Sequence, residues 1–589
     1  METALWAYLF HSGSHFRAYE QLGCHAVQGT DGWQYTFRTS APQAVAAAVV
    51  VGDDRVLEMQ QIGEKGIWEA SCTTGESLGG QPYRFRFTTA DGGRAEEGDP
   101  YAFLAADGRS LVSHPSCFVF SDGEWMERRG RDGRGGEEGA PLQIYLLHAG
   151  SFLRRADGGC VSYAELGDVL VPYLKYLGCT HAAFLPLWEG EGSVAGAACY
   201  APAARYGGAD DLRRLIDRLH TAGIGVLMAW SPASLLPHFD PWVEEEQCFL
   251  ISHALYWLRE FHIDGLCVGG VGEVIYRAPA VGEEAWFPAT DGERVSREAV
   301  AFWRKLSSAV EEEFPQAILI ADGPAAFPGL TDTPAEGGLG FRFACDAAFA
   351  DEMLAYLGKD PLYRRYHHGA LTAFASRPGG ARLLAITHRS LAPFGGSLYA
   401  ACYGSHAERL DTIRAFLTFF MTLPGKKLFF MGSEWAETER WYPERGIGLH
   451  LLAKGEHRAL RDFTAALQQF CLAHPALWET DGREDGFAWI EADRADENMV
   501  AYRRRAAGGE ELLVLVSFSG ADLAAYCLPV AAGGVYDVLF FSGAVADAYP
   551  SCFSATPGER GPVLRLPLPA RTALVLSHRM PGLAVTLHA

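Results

Sequence analysis

The spacing of hydrophobic and polar positions changes twice along the 589 residues. Over residues 1–110 the period is two, in short runs broken by turn residues: Trp33–Arg38, Ala47–Val51 and Tyr83–Phe87. Tyr83, Phe85 and Phe87 alternate with Arg84 and Arg86. That alternation puts the aromatic rings on one face of a strand, as in a half-buried sheet. A small β-sandwich is predicted. From Pro141 to Trp478 apolar runs alternate with longer helical segments. The runs include Gln143–His148, Ala182–Pro186, Gly225–Trp230, Gly265–Val268, Ala317–Ala321 and Lys427–Gly432, with helices such as 163–177 and 211–222 between them. Strand-then-helix repetition implies a parallel sheet with helical crossovers, and the length suits an eight-fold (β/α) barrel with insertions. Past Trp478 the helical period stops and strand-like runs return, as in Gly486–Ile490 and Glu511–Phe518. The expected class is α/β: a sandwich at 1–110, a linker at 111–140, a barrel at 141–478 and an antiparallel all-β domain at 479–589.

Two segments need separate readings. Residues 128–140, RRGRDGRGGEEGA, have the look of an RGG nucleic-acid segment. Their basic and acidic groups nearly cancel, so a flexible linker is expected instead. Residues 249–271, FLISHALYWLREFHIDGLCVGGV, read as an amphipathic helix, a tight Ile263-Asp264-Gly265 connection and a short apolar strand.

Composition narrows the function. Hydrophobic residues make up 49% and charged residues 21%, as in ordinary globular protein. The net charge of -22 argues against nucleic acid or an anionic membrane as partner. It suits a neutral ligand. The 13 cysteines are scattered with no CxxC pair, which points to free thiols in a reducing compartment. The start, METALWAYLFHSGSHFR, lacks the basic region of a secretory signal, and no apolar run approaches the ~20 residues that span a bilayer. A cytoplasmic protein is expected.

The chain resembles bacterial glycogen (1,4-alpha-glucan) branching enzymes of glycoside hydrolase family 13. The resemblance is carried, in order, by Leu170-Val-Pro-Tyr-Leu-Lys, Tyr200-Ala-Pro, Arg205-Tyr-Gly, SHALYWLREFHIDGL, Gly337-Gly-Leu-Gly-Phe, the run from Asp360 to His368, the run from Leu423 to Trp435, and Pro475-Ala-Leu-Trp. It implies a TIM barrel flanked by a carbohydrate-binding module 48-like sandwich and a C-terminal β-domain. It also implies a retaining mechanism, in which two carboxyl groups about 5–5.5 Å apart flank the scissile bond.

The motifs that would supply this chemistry are altered. The family's third-strand DWVPGHF is replaced by Ala229–Leu235, so its aspartate and histidine fall on Ala229 and Ser234. In the fourth-strand motif the arginine falls on Cys267 and the nucleophilic aspartate on Gly269. The acid/base glutamate falls on Asp322, and the transition-state aspartate on Arg389, beside a retained His388. The stretch leading to Tyr200 lacks the family's GYQPTG, the interval from Ser234 to Phe249 is short, and Gly52-Asp53-Asp54 keeps only the start of GDFNNW. Trp230, Tyr200 and His388 remain as candidates for glucan contact. Asp240, Glu273 and Glu434 are carboxylates that could stand in at the barrel mouth, with a structural role expected for Glu273 and Glu434. Asp264 belongs at the opposite end.

No metal site is expected of His367, His368 and His388, no phosphate cradle of Gly337–Gly340, and no cofactor. The expected function is that of a catalytically inactive homologue binding an alpha-glucan or another enzyme of glycogen metabolism. A glucan-active enzyme with relocated carboxylates and a purely structural oligomer partner are the alternatives.

Overall fold

The computed structural model describes residues 2–30, 32–63, 66–136, 139–190, 198–276, 286–288, 294–322, 327–376, 381–545, 548–559 and 561–579. The chain divides into two compact units. The first comprises 1–133, 148–171 and 183–342, and the second 134–147, 172–182 and 343–589.

The amino-terminal strands form two facing antiparallel sheets. One has the order 23–29, 32–40, 67–74, 60–62; the other has 55–58, 44–51, 82–89, 109–111, 104–106, with 94–97 also on 82–89. The alternation read from Tyr83–Phe87 is the burial pattern of that strand, and Tyr83, Phe85 and Phe87 lie in the core with Tyr35, Phe37, Val49 and Trp68. Gly52 starts the turn between 44–51 and 55–58 with φ +63°, a conformation glycine adopts without strain.

Eight strands close the barrel: β1 (Gln143–Leu147), β2 (His181–Phe184), β3 (Gly225–Trp230), β4 (Gly265–Gly269), β5 (Ile318–Asp322), β6 (Phe343–Cys345), β7 (Arg382–Ile386) and β8 (Lys426–Phe430). The pairs β3–β4, β4–β5, β6–β7, β7–β8 and β8–β1 run parallel. The main helices are α1 (Glu2–His11), α2 (Gly123–Gly136), α3 (Tyr163–Leu177), α4 (Ala209–Thr221), α5 (Glu244–Glu260), α6 (Arg297–Glu313), α7 (Ala347–Leu357), α8 (His406–Thr422) and α9 (Gly455–Ala473).

Local sequence explains them. In α4, Leu212, Leu215, Ile216 and Leu219 recur at helical spacing and are buried. Its first turn carries Asp210 and Asp211, its last Arg218 and His220, matching the helix dipole.

Two expectations require correction. α5 is not amphipathic: every residue from Gln247 to Leu258 is buried. Tyr256 packs its ring against Tyr19 and Phe103 of the amino-terminal region, and Trp257 packs against Trp188, so this helix is enclosed on more than one side. The second correction concerns the expected flexible linker, which is helical from Gly123 to Gly136. Trp125 Nε1 donates to Asp264 Oδ1 at 2.8 Å, and Arg129 donates to the same oxygen at 2.6 Å. The Trp125 ring also stacks on His220. A helix of poor intrinsic propensity is held in place by docking.

The carboxyl-terminal strands form one eight-stranded antiparallel sheet in the order 487–494, 499–505, 511–517, 572–578, 534–541, 552–558, 561–568, 523–529. One face buries Met499, Leu513, Leu515, Leu566, Leu574 and Leu576.

Candidate functional site

In a (β/α) barrel the reactive side chains project from the carboxyl ends of the strands. Here β3, β4 and β5 bring the expected positions together. Ala229 lies opposite Cys267, and Gly269 lies opposite Asp322. The positions implied for nucleophile and acid/base are therefore cross-strand neighbours. The first is occupied by a hydrogen atom, the second by a half-buried carboxylate. Cys267 is buried, and burial together with the Asp322 charge pushes its thiol well above the usual range. It is a poor nucleophile in that state, because the thiolate is the reactive form.

After β3 the chain enters a one-turn helix, Pro232–Leu235. Ser231 caps it, accepting from the Ser234 amide at 3.3 Å, and Ser234 itself is exposed. Arg389 is exposed on the one-turn helix His388–Leu391 that follows β7.

Of the alternative carboxylates, Asp240 accepts from the Trp242 amide at 3.0 Å in the loop before α5. Glu273 is exposed in the first turn of the short helix Val271–Ile275. Glu434 is fully buried, and its Oε1 accepts from Tyr145 at 2.6 Å and Tyr173 at 2.8 Å. Burial raises its pKa to about 7 against the lowering effect of those hydrogen bonds. Because Tyr173 belongs to α3, this cluster lies between strand and helix, a structural position.

Asp264 sits where the fourth strand begins. Its amide donates to Val226 O, its carbonyl accepts from the Ile318 amide, and its Oδ2 accepts from the Val226 amide and pairs with His220. It fastens the amino-terminal ends of β3, β4 and β5. Burial opposes a charge on His220, but Asp264 and Asp122 outweigh it and raise the pKa to about 9.

The expected glucan contacts divide. Trp230 and Tyr200 are enclosed and offer no ring face to a sugar. Trp230 is 2% exposed and donates its indole N–H to His253 Nδ1 at 3.0 Å. Tyr200 is 0% exposed, stacked on Tyr101, with its hydroxyl donating to Phe249 O. The physical reason is α5, whose buried aromatic residues occupy the space around both rings. His388 is different. It packs against Phe430 and Trp441 at centroid distances of 5.3 Å and 5.1 Å.

Those two rings line a hollow at the carboxyl end of β8, with Met431, Glu437, Tyr442 and His450. It is partly open to solvent. Glu437 shapes its wall by accepting from the Gly448 amide at 2.5 Å and the Thr438 amide at 2.8 Å. The sequence reading missed this hollow. Its only signal was the aromatic and charged run Arg440-Trp441-Tyr442 after the Trp435 motif.

Elsewhere, His367 is exposed, whereas His368 is engaged with Ala492 O at 2.7 Å. Gly337–Gly340 form a turn: a side chain at Gly338 would strike the Asp332 carbonyl. Residues 193–197 and 323–324, parts of two altered motifs, lie outside the described residues.

Sequence comparison agrees with this architecture. Residues 8–101 match the model of the alpha-1,4-glucan branching enzyme GlgB amino-terminal domain, and residues 489–579 that of the alpha amylase carboxyl-terminal all-beta domain. The chain is 34% identical over 572 residues to 1,4-alpha-glucan branching enzyme GlgB of Leifsonia xyli subsp. xyli, covering 89% of this chain and 76% of that protein. The chain belongs to the 1,4-alpha-glucan branching enzyme family. GlgB of Rubrobacter xylanophilus is likewise 34% identical, over 90% of this chain and 78% of its own length.

Among solved structures, a pullulanase from Paenibacillus barengoltzii in complex with maltohexaose and alpha-cyclodextrin superposes with a TM-score of 0.67 at 17% identity, covering 97% of each chain. A putative alpha amylase from Salmonella typhimurium gives a TM-score of 0.64 at 16% identity, covering 95% of this chain and all of its own. These likenesses establish the alpha-amylase-like fold. No helix among the described residues is long and apolar enough to cross a membrane.

Proposed function

We propose that this member of the branching-enzyme family binds alpha-glucan without cleaving or branching it, and serves glycogen metabolism as a binding or scaffolding protein. The reading rests on the cross-strand pair Gly269–Asp322. Double displacement needs a carboxylate that forms a glycosyl ester, and glycine has no side chain to form one. Asp322 is one methylene shorter than the glutamate that protonates the leaving oxygen. A displacement of about 1 Å can cost a hundredfold by itself. At the Arg389 position a fixed cation replaces the aspartate that would stabilise oxocarbenium-like charge.

Binding is supported by the hollow beside His388, where the Trp441 and Tyr442 rings can meet apolar sugar faces. Its partners on this reading are alpha-glucan and enzymes that act on it. The test is electrophoresis through gels containing amylopectin. The chain should be retarded, and Trp441→Ala with Tyr442→Ala should migrate as in a gel without glucan. Equal mobility with and without amylopectin would remove glucan binding and leave a protein partner as the role.

A second reading is favoured by the relatives, which are named as branching enzymes and align over most of this chain. On that reading Asp322 works with a relocated carboxylate. It requires turnover of amylose that disappears in Asp322→Ala.

A further inference from the structure

We infer that His406, Glu456 and His457 form a binding site for a divalent transition-metal ion of the zinc type, holding together the first turns of α8 and α9. One ligand atom from each residue lies within 4.8 Å of the other two. His406 Nε2 is 3.6 Å from Glu456 Oε1. Two ligands on one zinc ion, at ~2.0–2.1 Å each in a tetrahedron, stand about 3.3–3.5 Å apart. The pair is thus close to ligand spacing, although too far apart for a hydrogen bond.

The two imidazoles are already oriented. His457 is fully buried, and its Nδ1 lies 2.7 Å from the Trp435 carbonyl, to which it donates. That bond fixes the tautomer and leaves the lone pair on Nε2, which has no hydrogen-bond partner among the described residues. A buried polar atom without a partner costs free energy unless something satisfies it. A metal ion would. His406 Nδ1 lies 2.9 Å from the Tyr399 hydroxyl, so a proton on Nδ1 again leaves Nε2 available. Outer hydrogen bonds of this kind set tautomer and ring direction in metal sites. The His406 and His457 ring centroids are 5.6 Å apart.

Two imidazoles and one carboxylate suit zinc better than magnesium or calcium, which take mainly oxygen ligands. A fourth position is left for water, because His406 and Glu456 are both exposed. The ion would meet opposition from Lys454, from Arg409 over the Tyr399 ring and from two helix amino-termini. The Glu456 charge offsets part of this, and a dissociation constant on the order of micromolar is expected rather than the tighter binding of a four-ligand structural site. The residues escaped sequence reading because His406 is separated from Glu456-His457 by an entire helix and its following strand.

The test is calorimetric titration of the full chain with zinc chloride, repeated with His406→Ala and Glu456→Gln. Both side chains are exposed, so neither change threatens folding, whereas His457→Ala would open a buried hole. One ion per chain should bind the unaltered protein, and each variant should bind it at least about tenfold more weakly. The 13 cysteines are untouched in both variants, so adventitious thiol binding would not change between them. Absence of zinc binding at 100-fold excess over the expected micromolar constant, on the order of 0.1 mM, would overturn the inference. So would equal affinity in all three proteins.

Discussion

At Gly269 a single missing side chain governs the expected chemistry. Replacing it alone should achieve nothing measurable: Gly269→Asp would face a cysteine instead of arginine at Cys267 and a shortened acid at Asp322. Reducing-end and linkage assays on amylose should stay at background for this variant. Appreciable branching would mean that the cleft is nearly competent and that the account of coordinated loss is mistaken.

Glu434 gives a second expectation at this scale. Its folded pKa of about 7 lies above the 4.5 of an unperturbed glutamate, so the folded state holds the proton more tightly. Stability from this group is greatest below pH 4.5, declines as pH rises toward 7 and is constant above. A shift of that size corresponds to about 3 kcal/mol. Glu434→Gln should therefore flatten the fall in stability between pH 5 and 7 in denaturant titrations. An identical slope in the variant would refute the assignment.

Trp230 and Tyr200 show where residue-scale reading was blind. Both are aromatic residues in the right motifs, but whether a ring meets solvent depends on what packs over it. That was decided by α5, whose run Cys248–Leu258 breaks its apolar character only at Ser252 and His253, the mark of a helix buried all round that an amphipathic reading passes over.

Among the elements, α2 is the clearest departure from the sequence reading. Its Arg- and Gly-rich composition pointed to a linker, and only Trp125 and Arg129 reveal otherwise, through partners more than a hundred residues away. Docking on Asp264 should be visible in two measurements. Amides of residues 126–129 should be protected from hydrogen exchange. Trp125→Ala should cost about 1–3 kcal/mol, below the usual penalty for a fully buried ring because this one is half-buried. Fast exchange over this stretch would restore the linker reading. Six of the eight barrel strands, by contrast, were legible to within about two residues, whereas 343–345 and 382–386 were not among the runs read from the sequence. Continuous apolar runs such as Leu428–Met431 and Gly265–Val268 are what a strand buried on both faces requires.

At the scale of the whole molecule, the sequence pattern anticipated the sandwich, the eight-strand barrel and the final β-domain, because each follows from hydrophobic period and length. On the proposed reading, loss of catalytic groups leaves that framework intact. It also removes charges that are costly to desolvate, so the chain should melt cooperatively without the dye binding of a loosely packed state. The hollow beside His388 was not legible, since it arises from a loop whose path depends on Glu437 gathering backbone amides.

The central claim is that the barrel carries a binding surface and no glycosyl-transfer centre. It is tested most directly by incubating the chain with amylose and counting alpha-1,6 linkages and reducing ends by NMR, beside Asp322→Ala. The account predicts neither new linkages nor new ends in either protein. Linkages that form with the unaltered chain and vanish with Asp322→Ala would contradict it and establish an enzyme.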